Sequence, residues 1–179
     1  MCYHTYHHLR DSELGEGNNR IVTSKGKSFR YESKYYKTVE RLWDFTIREI
    51  VFLGEKDFVL ESREKFMQHT FDFVDSIGLR GFSEVASDPF FVSPETASKI
   101  FNQKMQKLKY ELRLNTTKDR TIAAASFNFH EHFFAKRFNI HESAEQYICT
   151  GCVGFGIERF AYAFVCQHGL DKRNWPDLR

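Results

Sequence analysis

The sequence is poor in residues that break or cross-link a chain. It has 3 Pro, 10 Gly and 4 Cys in 179 residues. So little Pro and Gly excludes collagen-like and low-complexity classes. So few Cys exclude a disulfide-dense scaffold, and the four read as metal ligands or free thiols. Long apolar runs are also missing: Ala161–Cys166 is among the longest, and a membrane helix needs about 20 residues. No charge sign dominates, with 26 Lys+Arg against 24 Asp+Glu and a net charge of +2. A domain built to grip nucleic acid is usually more basic. No internal repeat occurs, and Met1-Cys2-Tyr3-His4 opens without the basic-then-apolar pattern of a secretory leader. A cytoplasmic protein with no membrane partner is expected. What the chain has in quantity is aromatic: 19 Phe, within 41% hydrophobic residues. That is enough for a sizeable core, and one domain over residues 1–179 is expected.

Residues 10–27 are polar and Gly-rich and read as a mobile loop. Residues 28–33 alternate, with Phe29 and Tyr31 on one face and Arg30 and Glu32 on the other, as in a strand. Residues 47–53 form a second strand, and the two suggest a large antiparallel hairpin. Residues 57–77 place Phe66, Phe73, Val74 and Ile77 at helical spacing, with Gly78 as the stop. Gly81–Ala86 reads as a short strand. Ser93-Pro94 opens a helix running towards Lys107. Strands follow at 108–114, 121–129 and 147–153. A last helix over 154–168 would bury Ile157, Phe160, Ala161, Phe164 and Val165, with Gly169 ending it. Helices and strands do not alternate regularly. The pattern predicts an α+β fold with a mostly antiparallel sheet flanked by helices.

Arg30 and Glu32 suit a phosphate clamp with a carboxylate beside it; taken alone, they read first as a cross-strand salt bridge on a solvated face. In Gly154-Phe155-Gly156-Ile157-Glu158-Arg159-Phe160 a Gly-rich turn opens a helix. It fits close approach to an anion, with Arg159 as a second clamp, or a turn needed for packing. It is neither a Walker loop nor a dinucleotide fingerprint. In Cys149-Thr150-Gly151-Cys152, residues three apart on a strand point to opposite faces, so at most one Cys serves a given site. His4, His7 and His8 near Cys2 read as metal ligands or as solvated surface.

Taken together, these segments resemble the catalytic core of a class II aminoacyl-tRNA synthetase. The likeness is greatest to the zinc-dependent seryl-type branch and its truncated homologues, the amino acid:[carrier protein] ligases. Phe29-Arg30-Tyr31-Glu32 resembles the second signature, and Arg41, Phe45 and Glu49 resemble its return strand. Residues 86–91, 109–112 and 126–130 look like middle segments of the ligase. Gly154–Phe160 resembles the third signature, and 168–176 the ligase ending. The first, dimer-forming signature would lie upstream of Cys2. A homodimer through another surface, or a partner chain supplying that segment, is therefore expected.

The resemblance implies Arg30 on the ATP α-phosphate, Phe45 stacked on adenine, and Glu32 reading the adenine amine. Arg159 would lie on the other adenine face or on the γ-phosphate; Arg30 and Arg159 are thus the catalytic pair, and Arg41 joins the ATP site. It implies zinc on Cys2, Glu49 and Cys152, with a fourth position for the substrate amino group. Cys149 and Cys166 are then structural thiols. Glu111 is the candidate for Mg²⁺ on the nucleotide, although 121–125 lack the family's further acidic residue. Glu49, Asp88, Ser126 and Asn128 would surround the amino acid. The implied activity is ATP-dependent activation of a small amino acid (Gly, Ala or Ser), then transfer to the phosphopantetheine thiol of a carrier protein. Transfer to tRNA ranks below this, as does a non-catalytic binding paralogue.

Overall fold

Six segments build one six-stranded antiparallel sheet, described here in a computed structural model that covers residues 2–31, 39–86 and 108–178. The strands are β1 (Arg20–Phe29), β2 (Asp44–Gly54), β3 (Gly81–Val85), β4 (Lys109–Thr117), β5 (Arg120–Glu131) and β8 (Cys149–Gly156). Their order is β1-β2-β8-β5-β4-β3. A small ribbon pairs β6 (His141–Ser143) with β7 (Gln146–Tyr147). The helices are α1 (Cys2–His8), α2 (Lys56–Ser76), α3 (Phe133–Phe138) and α4 (Ile157–His168). The expected α+β class holds. No helix among the described residues is long and apolar enough to cross a membrane.

The two faces of the sheet differ. One is covered by α2 and α4, where Phe52, Val59, Leu112, Leu114, Phe127 and Val153 are sealed from water. Helix α2 has Asp57 in its first turn, where the helix dipole favours an acid. It is followed by Gly78 in the left-handed region (φ +64°), whose N–H caps the Asp75 carbonyl at 3.0 Å. On the opposite face, α1 and α3 cover one end over Tyr6, Val51, Leu53, Phe134 and Ile148. Among the described residues nothing covers the rest of that face, which forms the floor of the site.

Several expectations shift. Residues 20–27 are strand, not mobile loop: Arg20–Phe29 pairs along its whole length with Asp44–Leu53. Its half-buried positions are Val22, Ser24, Gly26 and Ser28: Val22 packs against the core under α1 and α3, and the other three are small residues paired with Glu49, Ile47 and Phe45. Phe29 and Tyr31 are both 77% exposed; β1 ends at Phe29, so Arg30 follows the strand instead of lying within it. Gly154–Gly156 continues β8 rather than forming a turn. The expected strand over 147–153 divides between β7 and β8. Phe73 faces solvent on α2, and Ile157 and Ala161 on α4, where Phe164 is buried as expected and Ala163 is buried as well. Cys166 is exposed and is no core thiol, whereas Cys149 is buried. Glu32, Asp88 and the helix expected from Ser93 to Lys107 lie outside the described residues.

Candidate functional site

Strand register assembles the site in two cross-sheet rows. In one, Ser24 pairs with Glu49, Glu49 with Gly154, Gly154 with Ser126, and Ser126 with Glu111. In the next, Val51 pairs with Cys152, Cys152 with Asn128, and Asn128 with Lys109. Paired residues in an antiparallel sheet project to the same face, so residues far apart in sequence converge on the open side. Gly154 leaves room among them: a Cβ there would lie 3.7 Å from Ser126 Oγ and 3.9 Å from Glu49 Oε1.

Above these rows is a cavity of about 490 Å³. Arg30, Arg41, Phe45, Glu49, Glu111, Ser126 and Arg159 all line it. The Arg30 guanidinium stands 5.5 Å from the Phe45 ring centre, within cation–π range. Arg159, in the first turn of α4, donates to the Ala123 carbonyl at 3.1 Å and the Glu40 carbonyl at 3.2 Å, which holds its head over the cavity edge. Glu158 beside it accepts the Thr46 N–H at 2.9 and 2.8 Å on its two oxygens. Burial raises the Glu158 carboxyl, but the Thr46 hydrogen bonds outweigh it and hold the group below its ordinary value. Glu111 meets Lys109 at 3.0 Å and Arg113 at 3.6 Å. Lys109 and Arg113 line the cavity and are absent from the sequence expectation. Their signal was there: 109, 111 and 113 share one face of β4 by parity. The wall therefore mixes cations with carboxylates, as an anion with bound Mg²⁺ would require.

Deeper in the same face, Cys2, Glu49 and Cys152 are all buried, and one donor atom from each lies within 4.8 Å of the others. Two thiolates bound to zinc at about 2.3 Å are at most about 4.6 Å apart, a separation that a set this tight allows. The donor chemistry, two sulfurs and a carboxylate, is that of a three-ligand zinc site with one open position. The Cys152 thiol is pushed well above its ordinary value by a hydrogen bond with Cys2, by burial, and by the negative potential of Cys2 and Glu49. Crowded buried anions of this kind are stabilised by a cation. Asn128 supports the cluster, donating from Nδ2 to Ser126 Oγ at 3.1 Å and to Cys152 Sγ at 3.4 Å. Its Oδ1 is buried without a hydrogen-bond partner among the described residues.

Cys149 points away, into the core under α2 and α4, where burial raises its thiol to about 11. This is the parity argument made physical. His4, His7 and His8 lie on α1 and are exposed, outside the cluster. Sequence reasoning missed His130 and Tyr6, which stand behind Cys152. His130 Nε2 is 3.7 Å from Cys152 Sγ, and burial lowers the imidazole to about 3, so it is neutral. They lie 124 positions apart, and no local pattern joins them.

Comparison with known proteins places this geometry. No protein-family model matches the chain. The type-2 serine–tRNA ligase of Methanothermobacter thermautotrophicus is 31% identical over 160 residues, covering 89% of this chain and 31% of the relative. The amino acid–[acyl-carrier-protein] ligase 1 of Bradyrhizobium diazoefficiens is 36% identical over 141 residues, covering 78% of this chain and 43% of the relative. Among solved structures, M. kandleri SerRS in complex with A. aeolicus tRNASec superposes with a TM-score of 0.81 over 98% of this chain and 35% of that one, at 23% identity. Seryl-tRNA synthetase from Pyrococcus horikoshii complexed with ATP gives 0.70 over 94% of this chain and 38% of that one, at 14% identity. The fold is that of the class II aminoacyl-tRNA synthetase catalytic core. Within that class the chain is a homologue of the type-2 serine–tRNA ligases and the amino acid–[acyl-carrier-protein] ligases, and it spans from under a third to under half of the length of the two relatives named.

Proposed function

We propose that the chain activates a small amino acid with ATP and passes the aminoacyl group to the phosphopantetheine thiol of a carrier protein. The observation that carries this reading is the meeting of Cys2, Glu49 and Cys152 on the face whose cavity holds Arg30, Phe45 and Arg159. One part binds an amino group and the other a nucleotide, as adenylate formation requires.

In this reading Phe45 stacks on adenine, with Arg41, Glu32 and Arg159 completing the nucleotide contacts. Arg30 neutralises the charge that grows on the α-phosphate. A carboxylate oxygen of the amino acid attacks the α-phosphorus, the bond to the bridging oxygen breaks, and pyrophosphate leaves. The thiol sulfur then attacks the activated carbonyl, loses its proton, and AMP departs. No protein nucleophile is needed, because orientation and charge complementarity supply the rate. Cys2, Glu49 and Cys152 would hold zinc, whose remaining position fixes the substrate amino group. Glu111 would hold Mg²⁺ on the phosphates, with Lys109 and Arg113 keeping its carboxylate aimed. Ser126, Asn128 and Asp88 bound the amino acid's side chain.

A second reading, transfer to tRNA, is favoured by the relatives named serine–tRNA ligases. The test is amino acid-dependent pyrophosphate–ATP exchange across a panel of amino acids, followed by charging assays with carrier protein and with tRNA. Exchange with Gly, Ala or Ser and thioester formation on the carrier are expected. Charging of tRNA alone would reverse the two readings. No exchange with any amino acid would leave a non-catalytic binding protein.

A further inference from the structure

Cys2 comes to the cluster from α1, a helix of only seven residues. Tyr3 packs edge-on against Phe134 at 5.1 Å, but the buried anchor of that helix is Tyr6. It lies four residues on from Cys2 and so on the same helical face. It is fully buried and stacks on Phe134 of α3 with ring centres 4.5 Å apart. Its hydroxyl is 3.3 Å from His130 Nδ1, and the Thr150 hydroxyl is 3.5 Å from the same nitrogen. The His130 ring stands edge-on to Phe134, 4.8 Å between centres. Its other nitrogen, Nε2, is the one 3.7 Å from Cys152 Sγ.

These contacts select a tautomer. A metal-bound thiolate carries no proton and can only accept a hydrogen bond. Nε2 is therefore matched to Cys152 when it carries the imidazole proton. Nδ1 is then an acceptor with one lone pair, which the Tyr6 hydroxyl can fill, while the Thr150 hydroxyl donates to the Glu131 carbonyl at 3.4 Å.

We propose that Tyr6 and His130 are a positioning pair for the metal centre. The Tyr6 hydroxyl holds the His130 tautomer, and His130 Nε2–H donates to the Cys152 sulfur, so the aim of one ligand and the docking of the helix carrying another are set by a single contact. The inference rests on the zinc reading above. His130 acts through Cys152, as hydrogen-bonding partners behind metal ligands do elsewhere.

The test uses the full chain loaded with Co²⁺ in place of zinc, with affinity read by competition against a chelator. His130→Leu is expected to weaken metal binding by about 10- to 100-fold. It should also move the sulfur-to-cobalt charge-transfer band to longer wavelength, because an N–H donor lowers the energy of the sulfur lone pairs. His130→Gln, which keeps an amide N–H at similar reach, should recover most of both. Tyr6→Phe keeps the stack on Phe134 and removes only the hydroxyl. It should weaken affinity in the same direction, and it carries the test if His130→Leu fails to fold. Wild-type affinity and an unmoved band in the variants would overturn this inference while leaving the zinc reading intact. A wild-type chain that binds neither metal would overturn both.

Discussion

Arg30 and Phe45 face one another at the loop end of the β1–β2 hairpin, with the guanidinium 5.5 Å from the ring centre. A purine stacked on Phe45 would take the ring face that Arg30 now shares, and the guanidinium would turn toward the phosphates. Phe45→Ala should therefore raise the KM for ATP, since base–aromatic stacking is worth about 1–3 kcal/mol. Arg30→Ala should lower the exchange rate by about 10²- to 10³-fold, the usual cost of losing one charge-stabilising donor. Its zinc content should match wild type. Steady-state exchange kinetics and metal analysis read both, and an unaltered rate in Arg30→Ala would remove that residue from the mechanism.

Metal content separates the three buried cysteines. Purified protein should carry about one zinc per chain. Cys2→Ala and Cys152→Ala should each lose most of it. Cys149→Ala should keep it, because that thiol lies in the core on the other face. If both cluster variants retained full zinc, the assignment of ligands would be wrong.

The Glu158–Thr46 contact gives stability a pH dependence. The folded-state carboxyl lies below its ordinary value near 4.5. The ionised form is thus favoured in the fold, and its contribution is full above that ordinary value. It fades as the pH falls through the lowered folded-state value. Glu158→Gln should unfold at a lower temperature than wild type at pH 7, and the gap should close in acid. A gap independent of pH would mean that the charge on Glu158 is not what anchors β2 to α4.

Gly151 is a place where no side chain fits. A Cβ would meet the Asn128 carbonyl oxygen at 2.8 Å and Val59 Cγ1 at 2.8 Å, and the carbonyl belongs to the paired strand β5. Gly151→Ala should cost about 1–3 kcal/mol, the range for overpacking a filled interior. A thermal melt within a degree of wild type would show that α2 and β5 can separate there at no cost.

Much of this was legible in the sequence where side-chain periodicity serves the core. Helix α2 and strands β2 to β5 follow from their apolar spacing, and the resemblance carried by Arg30, Phe45, Glu49 and Arg159 pointed to residues that do line one cavity. The failures share a cause. Strand β1 turns Ser24, Gly26 and Ser28 toward the site, and Gly154 and Gly156 do the same on β8. Small residues that make space for a ligand look like loop and turn to any rule based on burial. Helix α3 spans six residues, too few for a helical period to show. Tyr6 and His130 became visible only when pairing brought them together.

The two rows that build the site depend on how β8 is threaded between β2 and β5. Moving β8 by one residue would turn Val153 to the open face and send Cys152 under the helices. Moving it by two would restore the facing but displace the sulfur by about 7 Å along the strand, beyond reach of Glu49. The site thus has a reading frame in space, as a gene has one in sequence. Within β8, neither an odd nor an even insertion ahead of Cys152 leaves that residue opposite Val51.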